Sequence, residues 1–151
     1  GAAHIGVAGN DVLLEFDYPE LYAPLDLGIG YCRLSVAAPD AFAEDRLFAT
    51  GHVRIATKYP ETTRRYFAAQ GVQAECVKLN GAMELAPSLG LCQHIVDLVS
   101  TGGTLRAHGL REVSCIAEVT SRLIVNRSAF KTRPTEVSAW IDQFREAVDG
   151  A

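Results

Sequence analysis

The 151-residue sequence has no CxxC pair and no Cys/His cluster at zinc-ligand spacing, which excludes the common zinc modules. Its four cysteines, Cys32, Cys76, Cys92 and Cys115, are too few and too scattered for the disulfide framework of a small secreted domain. They read as reduced, mostly buried thiols of a cytoplasmic protein. No apolar run approaches the ~20 residues of a membrane helix, and no signal peptide is visible. Positive charge is not in excess: the formal net charge is −4, which argues against a surface built to coat nucleic acid. Internal repeats, low-complexity tracts and linkers long enough to separate independent domains are also lacking.

What is there suits a real core. Hydrophobic residues make up 48% and charged residues 21%, a balance that excludes extensive disorder. The chain starts without Met and enters the apolar run Ile5–Val7 at once, which reads as the middle of a domain. Asp11 is placed to cap a short helix, Val12–Glu15. Cys32–Ala37, Val53–Ala56, Ala74–Leu79 and Ile95–Val99 read as strands, as do Leu110–Ile116 and Arg122–Val125. Pro39–Glu44, and the acidic stretch Asp40–Asp45 that overlaps it, read as a surface loop. Pro60 opens a helix that Gly71 ends, and Met83–Ala86 begins a short one before Pro87. Pro134 opens the last helix, where Val137, Trp140, Ile141, Phe144 and Val148 form one apolar stripe for core or subunit contact. Arg127, Lys131 and Arg133 read as a basic patch facing water. The four histidines are scattered; His94 and Asp97 fall on opposite faces of a strand and make no metal pair. Alternating strands and helices give an α/β class with a largely parallel sheet.

The chemistry concentrates in the run from His94 to Leu105. A buried strand carries one acid, Asp97, near its C-terminal end. A turn of small and hydroxyl residues follows, then a helix start. Ligands of open α/β sheets sit beyond the carboxyl ends of strands. Gly102 and Gly103 let backbone N–H groups approach a phosphate closely, Thr101 and Thr104 add hydroxyl donors, and the helix start adds a favourable dipole. Asp97 would repel a phosphate, so it should face ribose hydroxyls or a magnesium ion. An acid followed by Thr-Gly-Gly-Thr therefore suggests 5-phosphoribosyl diphosphate (PRPP). A plain strand-turn-helix with Asp97 as a cap would have the same local pattern.

The wider context narrows the choice. The run Lys78-Leu-Asn-Gly-Ala-Met-Glu-Leu-Ala-Pro87, then Gly90, then Asp97 to Leu105, resembles the ATP phosphoribosyltransferase family. The resemblance extends through Gly1–Leu14, Asp26–Leu34, Arg54–Pro60 and Arg122–Arg127. It implies an α/β, two-lobed fold like a type II periplasmic binding protein. Residues 1–33 and 124–151 would form an incomplete first lobe, and 34–123 a second lobe with the PRPP loop. It implies the first step of histidine biosynthesis, in which ATP and PRPP give phosphoribosyl-ATP and pyrophosphate with Mg2+. By position, Ser100, Thr101, Gly102, Gly103 and Thr104 would hold the 5′-phosphate. Asp97 and Glu84 would be the catalytic acids facing the ribose and its metal. Tyr59 would lie beside ATP, with Lys58 or Arg33 meeting its charges. A homo-oligomer and a regulatory subunit related to histidyl-tRNA synthetase are implied as partners, with no nucleic acid and no membrane.

The chain also departs from the family pattern. Cys92 stands where a small residue such as Ala is usual and is expected only to pack. Ala82 replaces a frequent Ser, with the loss of one hydroxyl contact. The family's opening basic loop, which helps to hold pyrophosphate, has no match, so this polypeptide alone is expected to have little activity. Two other readings stand beside this one. A type I phosphoribosyltransferase of nucleotide salvage carries two adjacent acids, but Leu98 fills the second position here. A non-enzymatic binding module of the periplasmic type would share the fold.

Overall fold

The computed structural model describes residues 3–41, 49 and 51–150. The expected loop over Pro39–Asp45 lies outside the described residues from position 42 on. In chain order the elements are β1 (Ile5–Gly9), α1 (Asn10–Glu15), β2 (Leu21–Asp26), β3 (Cys32–Pro39), β4 (His52–Thr57), α2 (Pro60–Ala68), β5 (Gln73–Lys78), a 3-10 turn (Met83–Leu85), β6 (His94–Val99), α3 (Gly103–Ala107), β7 (Leu110–Val119), β8 (Ser121–Asn126), α4 (Arg127–Thr132) and α5 (Pro134–Asp149). They form two compact units: Gly1–Tyr31 with Val119–Ala151, and Cys32–Glu118.

Unit 1 carries a three-stranded sheet in the order β1-β8-β2. Both β1 and β2 run antiparallel to β8. Proline at position 24 has no N–H for a ladder, and the register of β2 shifts between Tyr22 and Leu25, as expected of a proline-bearing edge strand. Leu123 and Val125 of β8 are wholly buried against Val137 and Ile141 of α5. Asn126 caps α4, its side-chain oxygen accepting the Ser128 N–H at 2.9 Å. Pro134 starts α5, where its missing N–H costs nothing. Of the expected apolar stripe, Val137 and Ile141 are buried, whereas Trp140 is 54% exposed.

Unit 2 carries a five-stranded sheet in the order β5-β4-β6-β3-β7. Strand β4 is parallel to β5 and β6, and β3 is antiparallel to β6. Residues 34–38 of β3 and 94–96 of β6 are buried on both faces, and all but Ser35 and His94 of them are apolar.

Three expectations need correction. The sheets are not largely parallel: the described pairs of unit 1 are antiparallel, and unit 2 is mixed. The return from the second unit lies before β8, between 118 and 119, and not at 123/124. The reason is pairing, since β8 hydrogen-bonds along its length to β1. Asp11 lies inside α1, whose cap residue Gly9 makes no side-chain hydrogen bond.

Candidate functional site

One apolar cluster of unit 2 sits directly beneath the candidate site. It contains Met83, Ala86, Cys92, Ile95, Val99 and Leu105. Met83 precedes Glu84, Ile95 and Val99 flank Asp97 on the same face of β6, and Leu105 follows the Ser-Thr-Gly-Gly-Thr loop. Burial of these four side chains therefore fixes three pieces of backbone far apart in sequence. Above them lies a pocket of about 240 Å3, lined by Glu84, Asp97 to Thr104 and Leu105. It gathers both candidate acids and all five candidate phosphate-loop residues.

The loop reverses direction through Gly102, which has φ +82° and serves as the cap of α3. A side chain there would be strained, and its Cβ would lie 3.1 Å from Nη1 of Arg106. Gly103 makes no such demand: its φ is ordinary and a Cβ would meet Thr101 Oγ1 at 3.6 Å. The expectation that both glycines are needed for the bend thus narrows to Gly102. Gly103 instead donates its N–H to Thr101 Oγ1 at 3.4 Å. Across the pocket, Ala82 has φ +56°, the only positive-φ residue other than glycine among those described. It caps the 3-10 turn that carries Glu84. For an L-residue that conformation costs ~1–2 kcal/mol.

Asp97 is half-buried. Burial pushes its carboxyl above the ordinary range, and the charge of Glu84 pushes the same way. The Leu98 N–H, 2.8 Å from Oδ1, and the Lys58 ammonium pull it back. A carboxylate with this environment gains from a cation or from hydroxyl donors.

The candidate nucleotide residues fare differently. Lys58 is exposed and acts electrostatically on Asp97. Tyr59 is 5% exposed and does not line the pocket. Its N–H bonds to Thr57 Oγ1 at 2.9 Å and its carbonyl accepts from Thr63 at 2.7 Å, so it fixes the turn. Arg33 is already engaged. Its Nε and Nη2 pair with the two carboxylate oxygens of Glu112 at 2.9 and 3.0 Å, and its Nη1 reaches the Ser100 carbonyl at 3.5 Å. Ser35 Oγ also donates to Glu112. The sequence reading missed Glu112, because its partners lie 77 and 79 residues away. Arg106, also missed, donates to the Thr101 carbonyl at 3.3 Å.

Among the described residues no group of three or more His, Cys, Asp or Glu is arranged to hold a metal. Two carboxylates on one pocket still suit magnesium, which is commonly held by one or two carboxylates plus substrate phosphates. His94 is buried at 1% exposure, and desolvation lowers its pKa to about 4. Of the four cysteines only Cys92 is buried, and Cys115 is exposed. Burial raises the Cys92 thiol's pKa, which suits packing more than chemistry. No helix among the described residues is long and apolar enough to cross a membrane. In unit 1 a wider pocket of about 310 Å3 is lined by Tyr22, Arg127, Phe130 and Lys131. It contains two residues of the expected basic patch and no carboxylate.

Comparison with known proteins agrees with this geometry. The family profile described as ATP phosphoribosyltransferase matches residues 1–146. An ATP phosphoribosyltransferase of Paramagnetospirillum magneticum is 74% identical, the match covering 99% of this chain and 69% of that protein. One from Rhodospirillum rubrum is 71% identical over 99% of this chain and 66% of its own length. Among solved structures, the ATP phosphoribosyl transferase (HisG:HisZ) complex from Thermotoga maritima matches with a TM-score of 0.86 and 32% identity, covering 100% of this chain and 73% of that one. The periplasmic aliphatic sulphonate binding protein SsuA from Escherichia coli matches at a TM-score of 0.62 and 13% identity, over 98% of this chain and 56% of that one. That likeness concerns the fold, which is of the type II periplasmic-binding-protein kind.

Proposed function

The chain belongs to the ATP phosphoribosyltransferase family, and on that premise we propose that it contributes the PRPP site of an enzyme joining ATP and PRPP into phosphoribosyl-ATP and pyrophosphate. The observation that carries the proposal is the single pocket that gathers Glu84, Asp97 and the loop Ser100–Thr104. Loop N–H groups and hydroxyls suit the 5′-phosphate. Asp97 and Glu84 suit the ribose hydroxyls and magnesium.

The reaction builds positive character at C1 of the sugar and negative charge on the departing pyrophosphate. Asp97 and Glu84 would favour the first. Magnesium, when bound, would supply charge stabilisation for the second. No protein nucleophile is required, since adenine N1 attacks, and the chain's part is to hold two anionic substrates in line. Lys58 is the side chain left to meet substrate charge. Tyr59 shapes the turn that presents it, and Arg33 is committed to Glu112 and the loop. The proposal includes the first step of histidine biosynthesis, a cytoplasmic setting and a homo-oligomer. It also includes a regulatory partner, which the Thermotoga maritima complex supports by analogy.

Leu98 speaks against a type I enzyme, whose second acid would stand there. The non-enzymatic alternative rests on fold likeness at 13% identity and has no support from the acids. Titration calorimetry with PRPP and magnesium tests the site. Binding is expected, and Thr101→Val is expected to weaken it about tenfold, the loss of one phosphate hydrogen bond. A folded chain that takes up no PRPP, or a Thr101→Val variant that binds unchanged, sinks the reading. Phosphoribosyl-ATP formation with a nucleobase panel as rival acceptors tests the acceptor.

A further inference from the structure

We infer that Glu112 is a positioning residue for the phosphate loop, acting through Arg33; this rests on the reading that the loop holds PRPP. The relay begins with pairing. Arg33 stands opposite Val99 and Ser35 opposite Asp97 in the antiparallel ladder of β3 and β6. Directly paired residues share a face, so Arg33 and Ser35 lie on the face that carries Asp97. Next to them, β7 supplies Glu112.

Glu112 accepts three hydrogen bonds, two from the Arg33 guanidinium and one from the Ser35 hydroxyl. Both carboxylate oxygens are used, which fixes the guanidinium in plane and in rotation. Its third nitrogen, Nη1, is thereby aimed at the carbonyl of Ser100, the first loop residue, 3.5 Å away. That contact is long, so little of its value is hydrogen-bond energy. Its value is a fixed positive charge at the loop's entry. Arg106 donates to the next carbonyl, that of Thr101. With two successive carbonyls engaged by guanidinium groups, the Ser100 and Thr101 acceptors are turned to arginines and away from an anion in the pocket. An Arg33 without Glu112 would keep its charge but lose its aim.

Glu112→Gln keeps the shape and removes the charge and one acceptor. Calorimetry on the complete chain with PRPP and magnesium is expected to show about tenfold weaker binding, the scale of a lost charge-assisted contact. Ribose 5-phosphate, which carries the end the loop holds, should weaken by the same factor. Arg33→Lys cannot grip Glu112 with two parallel bonds while reaching Ser100, so it should reproduce the loss. The double variant should bind no more weakly than the poorer single variant. If the unaltered chain binds no PRPP, the loop reading itself fails and the relay fails with it. If the unaltered chain binds and Glu112→Gln binds equally well, the relay alone is overturned. Additive losses in the double variant also overturn it. Should Glu112→Gln fail to fold, Arg33→Lys decides: undiminished binding sinks the inference.

Discussion

The two units break the usual rules of protein architecture in different places. Unit 2 brings three irregularities to one place: the left-handed Ala82, the half-buried Asp97 and the left-handed Gly102 all border or cap the elements of one pocket. Among its described residues unit 1 has no positive-φ residue other than glycine, though it too buries two acids, Asp11 and Glu15 of α1, and it exposes large apolar side chains. Of the twelve such side chains, eight belong to unit 1: Val7, Leu14, Phe16, Tyr18, Tyr22, Ile29, Tyr31 and Trp140. Local strain and a desolvated acid are the mark of a site, where stability is given up for preorganisation. Exposed apolar surface marks a face that meets another molecule where it forms one contiguous patch. The difference is that one unit sets its strain beside its candidate acids, while the other leaves apolar side chains uncovered.

The comparison would break first if the cores differed in quality. Leu34 of unit 2 and Leu123 of unit 1 are both 0% exposed. Leu→Ala at either should cost about 3–5 kcal/mol, the range for a cavity that cannot collapse. Chemical denaturation followed by circular dichroism measures both. A cost at Leu123 below about 1 kcal/mol would mean a loosely packed unit 1. Its exposed apolar surface would then reflect poor packing and not an interface.

The units also differ in how legible they are. In unit 2, strand periodicity and glycine position were enough for β4, α2, β6 and the loop after it, although α2 ends at Ala68 and Gly71, with φ +76°, lies three residues beyond it. In unit 1, β2 went unseen because Pro24 disqualifies a strand by its missing N–H, although an edge position tolerates it. Helix α4 went unseen because Arg127–Thr132 has only one buried residue, Ala129, and its cap Asn126 ends a strand. The site divides in the same way. Asp97 and the loop were readable because they are contiguous. The Glu112 grip on Arg33 was not, because it is made by strand order. A carboxylate 79 residues from its partner leaves no local trace.

Acid should act on unit 2 through His94. The ring is buried and its folded pKa is about 4, below the ordinary 6.5. Between those values the unfolded chain binds a proton that the folded chain refuses. Stability is therefore complete above pH 6.5 and declines as pH falls toward 4, by about 3 kcal/mol for a shift of this size. Denaturant midpoints measured from pH 7 to 4.5 should fall accordingly, and His94→Gln should flatten the curve. A curve of equal slope in both proteins would place the acid sensitivity elsewhere. Glu112 has its carboxyl held below the ordinary range by Arg33, so its contribution persists through this window and is lost only below pH 4.5.

Asp97→Asn should separate stability from binding. Burial raises the folded pKa of Asp97, so its charged form is a burden on the fold above the ordinary carboxylate range. Removing the charge is expected to raise the melting temperature at pH 7. PRPP binding in magnesium should weaken by about 2 kcal/mol, the value of a hydrogen bond to a charged group, or roughly thirtyfold. Calorimetry and thermal melts on one sample give both numbers. A variant that is less stable, or that binds PRPP as before, would remove Asp97 from the site and erase the contrast between the units.

The smallest expected effect is at Ala82, and it bears most directly on whether the strain of unit 2 is functional. Ala82→Gly relieves the left-handed φ of +56° without removing any side-chain hydrogen bond. The gain is ~1–2 kcal/mol from relieved sterics, less ~0.5–1 from the added freedom of glycine in the unfolded chain. A net stabilisation of about 0.5–1 kcal/mol should appear in denaturant melts. If the strain serves to hold Glu84 at the pocket, the stabilised variant will bind PRPP with magnesium more weakly, by about two- to threefold, because the turn carrying Glu84 gains freedom. If binding is unchanged, the left-handed Ala82 is a harmless consequence of the bend at Asn80 and Gly81, and only the charge of Asp97 and the loop geometry distinguish unit 2.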